Sequence, residues 1–205
     1  MNITLENAGK RYNREWVFRH FDYTFLKGKK YAITGFNGSG KSTLLQVIAG
    51  ALMYNEGKVY YRNIETHEKR EITEPYKNIS IATPYLELIE EMTSTELLTF
   101  HSTFKPLTQQ IDKILEIAGL GNAAHKQIRY FSSGMKQRLK LVQAFFSNTP
   151  VLLLDEPTTN LDQEGVNLYM ELIKEYSKNR LVIISSNTRQ EYEFADECIK
   201  MEDYK

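Results

Sequence analysis

Gly35-Phe36-Asn37-Gly38-Ser39-Gly40-Lys41-Ser42 fits the spacing G-x-x-x-x-G-K-[ST] without a mismatch. The run lies between a short apolar stretch that should be a strand, Tyr31 to Thr34, and a stretch that should be a helix, Thr43 to Ala49. Glycines let backbone N–H groups converge where side chains would obstruct them. A helix starting near Lys41 points its N-terminal dipole at the same spot. The cradle so formed, Gly35, Phe36, Asn37, Gly38, Ser39, Gly40, Lys41, Ser42 and Thr43, suits the phosphates of a nucleoside triphosphate. Lys41 would reach the β- and γ-phosphates, and the Ser42 hydroxyl would ligate Mg²⁺. With no ligand bound, the Lys41 side chain is expected to face solvent.

A second signal is acidic. The apolar run Val151-Leu152-Leu153-Leu154 ends in Asp155-Glu156, which puts two carboxylates at the carboxyl edge of a sheet. Ligands of open α/β folds sit at that edge. Asp155 suits a water-mediated hold on Mg²⁺, and Glu156 can orient a water for attack on a γ-phosphate as a general base.

These residues need a parallel sheet to position them, and the chain offers one. Alternation in Ile3-Thr4-Leu5 and in Phe18 to Leu26 marks strands, followed by the turn Lys27-Gly28-Lys29. Further short strands are expected at Gly57 to Arg62 and Ile79 to Ala82. Spacing predicts helices over Thr93 to Phe104, Gln109 to Ala118 and Ser133 to Ser147. In the last, Met135, Leu139, Val142 and Phe146 recur on one buried face. After Pro150 come a strand (Val151 to Leu154), a helix (Val166 to Tyr176) and a strand (Leu181 to Ser185). Continuous apolar strands between helices indicate a parallel sheet covered on both faces. The chain therefore reads as an α/β nucleotide-type core with a helical insertion at roughly 86 to 146.

Composition narrows the function classes. The chain has 205 residues, enough for a sizeable core, and 26 basic side chains balance 26 acidic ones. With no basic excess, a nucleic-acid partner is not expected. The single Cys198 excludes an internal disulfide or a cysteine-rich zinc cluster and fits a reducing compartment. The longest apolar run, Val47 to Tyr54, is eight residues even counting Gly50, whereas a membrane span needs about 20. The start of the chain, MNITLENAGKRY, lacks the layout of a secretory signal. A soluble, intracellular protein is expected, and any membrane crossing would fall to a partner.

The order GFNGSGKST, FSSGMKQR, VLLLDEP and Asn160-Leu161-Asp162 resembles the ATP-binding subunit of ABC transporters over nearly the whole chain, from Tyr12 to about Asn187. The resemblance implies ATP and Mg²⁺ as ligands and a P-loop NTPase (RecA-like) core with an N-terminal antiparallel β subdomain and a helical insertion subdomain. The core would comprise 1–85 and 147–205, the helical part about 86–146. The family signature Leu-Ser-Gly-Gly-Gln corresponds to Phe131-Ser132-Ser133-Gly134-Met135. Ser132, Ser133 and Gly134 at a helix start would make a second anion site, and equally suit a plain N-cap. Two phosphate-binding devices in one chain point to a two-fold dimer in which each copy closes the other's nucleotide. By resemblance, Tyr12 stacks on adenine, and Asp162 lies on a loop that communicates between the two sites.

Two departures stand out. Where the family has a histidine contacting the γ-phosphate, this chain has Asn187 after Ile183-Ile184-Ser185-Ser186. Where the family has a glutamine touching Mg²⁺ and the attacking water, Thr83-Pro84-Tyr85-Leu86-Glu87 has none. The resemblance implies an ATPase at the cytoplasmic, inner face of a membrane, powering separately encoded integral-membrane transporter subunits. The alternatives are a soluble ABC ATPase acting on a protein or ribonucleoprotein assembly, and a weakly hydrolysing nucleotide-binding regulator. Tyr85, Leu86, Leu88 and Ile89, with the acidic pair Glu90-Glu91 beside them, would line a groove for a helix of the membrane subunit.

Overall fold

The computed structural model describes residues 1–62, 69–70, 74 and 77–205. Two long strands, β1 (Asn2–Tyr12) and β2 (Glu15–Phe25), pair antiparallel at the start of the chain. Strand β3 (Lys30–Thr34) then feeds the glycine-rich loop and helix α1 (Lys41–Ile48). Strands β4 (Glu56–Arg62) and β5 (Lys69–Arg70) return to the first sheet, whose order is β2-β1-β4-β5. Strand β1 reaches Tyr12, well beyond the alternating Ile3-Thr4-Leu5, because register shifts after Leu5 and Ala8 interrupt the alternation without ending the pairing.

The second sheet is parallel. It comprises β3 with β6 (Ile79–Ala82), β7 (Val151–Asp155), β8 (Leu181–Ser185) and β9 (Glu197–Lys200), in the order β6-β7-β8-β3-β9. Strands β7 and β8 are buried on every residue, and successive side chains feed opposite cores. Val151, Leu153, Leu181 and Ile183 pack with α1 and with Ile3, Phe18 and Phe25 of the antiparallel sheet. Leu152, Leu154, Val182 and Ile184 pack against the helices on the other face. Period-two alternation between two covered faces is why these strands read as unbroken apolar runs.

Helices α2 (Ser94–Ser102), α3 (Ile111–Ile117) and α4 (Ser133–Phe146) share one core with that second face, through Leu97, Leu98, Ile114, Leu115, Leu139 and Val142. Helix α2 opens on a reciprocal cap. Thr93 Oγ1 accepts from Glu96 N at 3.2 Å, and Thr93 N donates to Glu96 Oε2 at 2.8 Å. Of the expected face of α4, Leu139, Val142 and Phe146 are fully buried and Met135 is half-buried. Helix α5 (Gln163–Tyr176) begins three residues earlier than its apolar spacing indicates, because Asp162 caps it. A short helix α6 (Arg189–Tyr192) follows β8. No described helix is long and apolar enough to cross a membrane.

The helical side carries one pH-sensitive contact. His101 Nε2 lies 2.8 Å from Ser147 Oγ, and the Gln143 side-chain amide donates to His101 Nδ1 at 2.9 Å. Burial, and then the charge of Lys105, lower the imidazole pKa from 6.5 to about 4. Between those values the unfolded chain takes up a proton and the folded chain does not, so stability falls as pH drops from about 6.5 to about 4. Because the ring keeps partial access to water, the loss is expected to be about 1–2 kcal/mol at pH 4. In His101→Asn, thermal melting should lose that part of the acid dependence, and an unchanged profile would assign it elsewhere.

Candidate active site

The loop between β3 and α1 is confined at its two ends, while Phe36, Asn37 and Gly38 are exposed. Gly35 adopts φ +146° and Gly40 φ +104°, a region costly for L side chains. A Cβ at Gly35 would come 2.7 Å from Ser39 Oγ, and one at Gly40 2.5 Å from Val17 Cγ1. Lys41 does not face solvent. It is only 4% exposed, and its Nζ donates to Gly35 O at 2.8 Å and Phe36 O at 3.3 Å. Two of the three ammonium donors are thus met by loop carbonyls, as an ammonium stripped of water must find acceptors, and the third is left for a phosphate oxygen. Gly40 N-caps α1 with no side-chain bond, which leaves the first-turn N–H groups to meet an anion.

Asp155 and Glu156 stand at the carboxyl edge of the sheet, as their sequence position indicates. Asp155 is 3% exposed, and its Oδ1 has no hydrogen-bond partner. The buried hydroxyls of Ser39 and Ser185 are likewise unpartnered, and Ser185 lies beside Asp155 in register across β7 and β8. Buried oxygens without donors are uncommon and costly, and a water of a hard cation would satisfy Asp155 Oδ1. Glu156 has φ +42° and its N–H donates to Ser185 O at 2.8 Å, so a strained backbone fixes where the carboxylate points.

A cavity of about 540 Å³ gathers part of the candidate set, without Gly35, Phe36, Ser39, Asp155 or Asn187 in its wall. Its walls bring Lys41, Ser42 and Thr43 together with Asn37, Gly38, Gly40, Glu156 and Tyr12. Tyr12 is the last residue of β1 and 51% exposed, with the Lys10 ammonium 5.1 Å from its ring centre. Two further wall residues, Val17 and Tyr85, carry no motif. Tyr85, 77% exposed, projects from a turn closed by Leu86 N donating to Thr83 O, within the segment that lacks a glutamine. Lys140 Nζ anchors that turn by donating to Pro84 O at 2.7 Å.

Asn187 also touches the loop. Its Oδ1 accepts from Gly35 N at 3.2 Å, and its Nδ2 donates to Asn37 Oδ1 at 3.0 Å. Both polar atoms of the amide are spent on the cradle.

Ser132, Ser133 and Gly134 are not in the cavity wall. Ser132 N-caps α4, its Oγ accepting from Met135 N at 3.2 Å, and both serines are exposed. A Cβ at Gly134 would lie 3.2 Å from Asn160 O, so the helix start abuts the loop after β7. Two contacts rivet the two, and a third caps α5 at the far end of the loop. Gln137 Nε2 donates to Pro157 O at 2.9 Å, Arg138 Nη2 donates to Asp162 Oδ1 at 2.6 Å, and the same Oδ1 accepts from Gly165 N at 2.8 Å. The Gly165 N–H, followed by Arg138, holds the Asp162 carboxyl below its usual range. Buried Glu191 grips the same loop by accepting from Thr158 N at 2.8 Å. Arg138 sits in plain view in FSSGMKQR, whereas nothing in the sequence marks Glu191.

A parallel sheet with a glycine-rich anion loop after one strand and buried acid at the end of another defines a P-loop nucleotide-binding fold. The model of the family described as ABC transporter matches residues 18–159. An uncharacterized ABC transporter ATP-binding protein of Bacillus subtilis, YybJ, is 31% identical over 92% of this chain and 87% of its own length. The lantibiotic transport ATP-binding protein SrtF of Streptococcus pyogenes is 30% identical over 93% of this chain and 82% of its own. Among solved structures, the ATP-binding cassette MJ0796, dimeric and bound to ADP and Pi in a post-hydrolysis state, superposes with a TM-score of 0.79. It shares 23% identity, covering 97% of this chain and 93% of that one, and so supports the fold. The chain belongs to the ABC transporter family, as an ATP-binding cassette.

Proposed function

We propose that this chain binds Mg²⁺-ATP between two ABC subunits, in a homodimer or with a paired subunit, and hydrolyses it to drive a membrane transporter. The carrying observation is a division within one chain: the cavity gathers Tyr12, Lys41, Ser42 and Glu156, while the exposed Ser132 and Ser133 lie outside it. A two-fold pairing supplies those serines and Gly134 to the neighbour's γ-phosphate. On this reading Tyr12 stacks on adenine, and the N–H groups of Asn37, Gly38 and Gly40 to Thr43 cradle the phosphates, while those of Gly35, Phe36 and Ser39 hold the loop in shape. Ser42 and Asp155 hold Mg²⁺, and the unpartnered Asp155 Oδ1 supports that fit. Bound Mg²⁺ neutralises phosphate charge. Glu156 orients the attacking water as general base, and Asp162 relays between the two sites. Asn187 serves through its hold on the cradle. The nucleotide-binding core is residues 1–85 and 147–205, with a helical part at about 86–146.

The membrane partner would dock beside the cavity, placing the chain at the cytoplasmic face. Tyr85 and Ile89 are exposed, the latter 40%, whereas Leu86 and Leu88 are half-buried and Leu88 packs on the core. The expected acidic rim is neutralised, because Glu90 pairs with Lys136 and Glu91 with Arg129. An apolar helix face is therefore the better fit. In Ile89→Asp, recovery of this chain with a polytopic membrane protein from its own cells should fall at least tenfold, with ATP binding and melting at parental levels. Parental recovery of the membrane protein, or a chain that never co-purifies with one, would overturn the docking.

A further inference from the structure

The turn after β9, residues Met201–Tyr204, reaches the phosphate loop with a carboxylate. Met201 is fully buried in the core, and the Tyr204 ring lies 4.3 Å from that of Phe21, so Glu202 sits between two anchored residues. Its Oε1 accepts from Phe36 N at 3.1 Å. The Phe36 N–H belongs to the same planar peptide unit as the Gly35 carbonyl, and that carbonyl accepts from Lys41 Nζ at 2.8 Å. One peptide is thus gripped at its N–H by Glu202 and at its C=O by Lys41. Gly35 leaves room for the approach, since a Cβ there would come 3.0 Å from Glu202 Oε1. Its own backbone N–H, that of Phe36 and then the charge of Lys41 keep the Glu202 carboxyl below its usual range, so it is ionised at neutral pH.

We infer that Glu202 is a positioning residue of the ATPase, orienting the Gly35–Phe36 peptide and through it the Lys41 ammonium before ATP arrives. The inference rests on the nucleotide-site reading above. A loop fixed in advance loses less entropy on binding, so the effect belongs in affinity rather than in turnover. In the full-length chain, Glu202→Ala should raise the ATP Kd and KM about tenfold, with kcat within about twofold. Glu202→Gln keeps an acceptor oxygen without the charge and should restore most of the affinity. Both variants should melt at the parental temperature, because the side chain is exposed. Unchanged or tighter ATP binding in Glu202→Ala would overturn the inference, showing that the carboxylate merely stands near an anion site. Equal weakening in Glu202→Gln, or a loss confined to melting temperature, would overturn it too. A parental chain that binds no ATP would instead overturn the nucleotide site itself, and this inference with it.

Discussion

Glu156→Gln is expected to slow ATP hydrolysis by about 10²–10⁴-fold while leaving ATP binding at the parental level. The strained φ of +42° and the Glu156 N–H bond to Ser185 O are backbone features, so an amide of the same size keeps the side chain where it is. The amide still offers an oxygen to a water but cannot take its proton, which separates positioning from base chemistry. Binding is spared because the phosphates meet Lys41 and the N–H groups of the loop, not this carboxylate. With hydrolysis slowed, the ATP-bound pair of subunits should accumulate. Single-turnover hydrolysis and size-exclusion chromatography with ATP measure both effects. Parental turnover would remove Glu156 from the reaction.

The parallel sheet and the cradle were legible for the same physical reason: their residues answer to local constraints. Val151 to Leu154 and Leu181 to Ile184 must be apolar because both faces are covered, and the loop must be glycine-rich where its backbone is left-handed. Strand β9 gave no such signal, since only Ile199 of its four residues is buried. Pairing with β3 alone makes it a strand, and pairing across 165 residues leaves no periodicity to read. Glu202 follows it into the same obscurity. Tyr12 was legible by resemblance as a site residue but not as the last residue of an eleven-residue strand, because bulges break the alternation of β1.

Asn187 shows what a departure from family pattern can conceal. Read as a lost γ-phosphate contact, it is only a deficit. In the fold its amide bonds Gly35 N and the Asn37 side chain, so the end of β8 holds the cradle itself. Tyr85 is a similar case: the segment without a glutamine still puts a side chain into the cavity wall, through a turn that Lys140 anchors. Side-chain reach across the sheet edge decides both, and sequence spacing does not encode it.

Lys41→Ala should weaken ATP binding by about 10²–10³-fold, because a charge-assisted bond to a phosphate oxygen is lost together with the one positive charge the cradle sets beside the phosphates. The sequence alone indicates a lysine free in solvent, whose removal would cost the fold little. The buried ammonium bonded to Gly35 O and Phe36 O implies otherwise. Its loss leaves two loop carbonyls short of a donor and removes a packed stem, at an expected cost of about 1–2 kcal/mol, or a few degrees of melting midpoint for a chain of this size. Lys41→Met separates the two losses. The thioether fills the space of the stem, so Lys41→Met should melt above Lys41→Ala while binding ATP no better. Equilibrium binding of a fluorescent ATP analogue and thermal melting of both variants decide the matter. An alanine variant that binds ATP as the parent does would show that this loop is not the phosphate cradle. One that melts at the parental temperature would show that the Lys41 contacts to Gly35 and Phe36 contribute nothing to the unliganded fold.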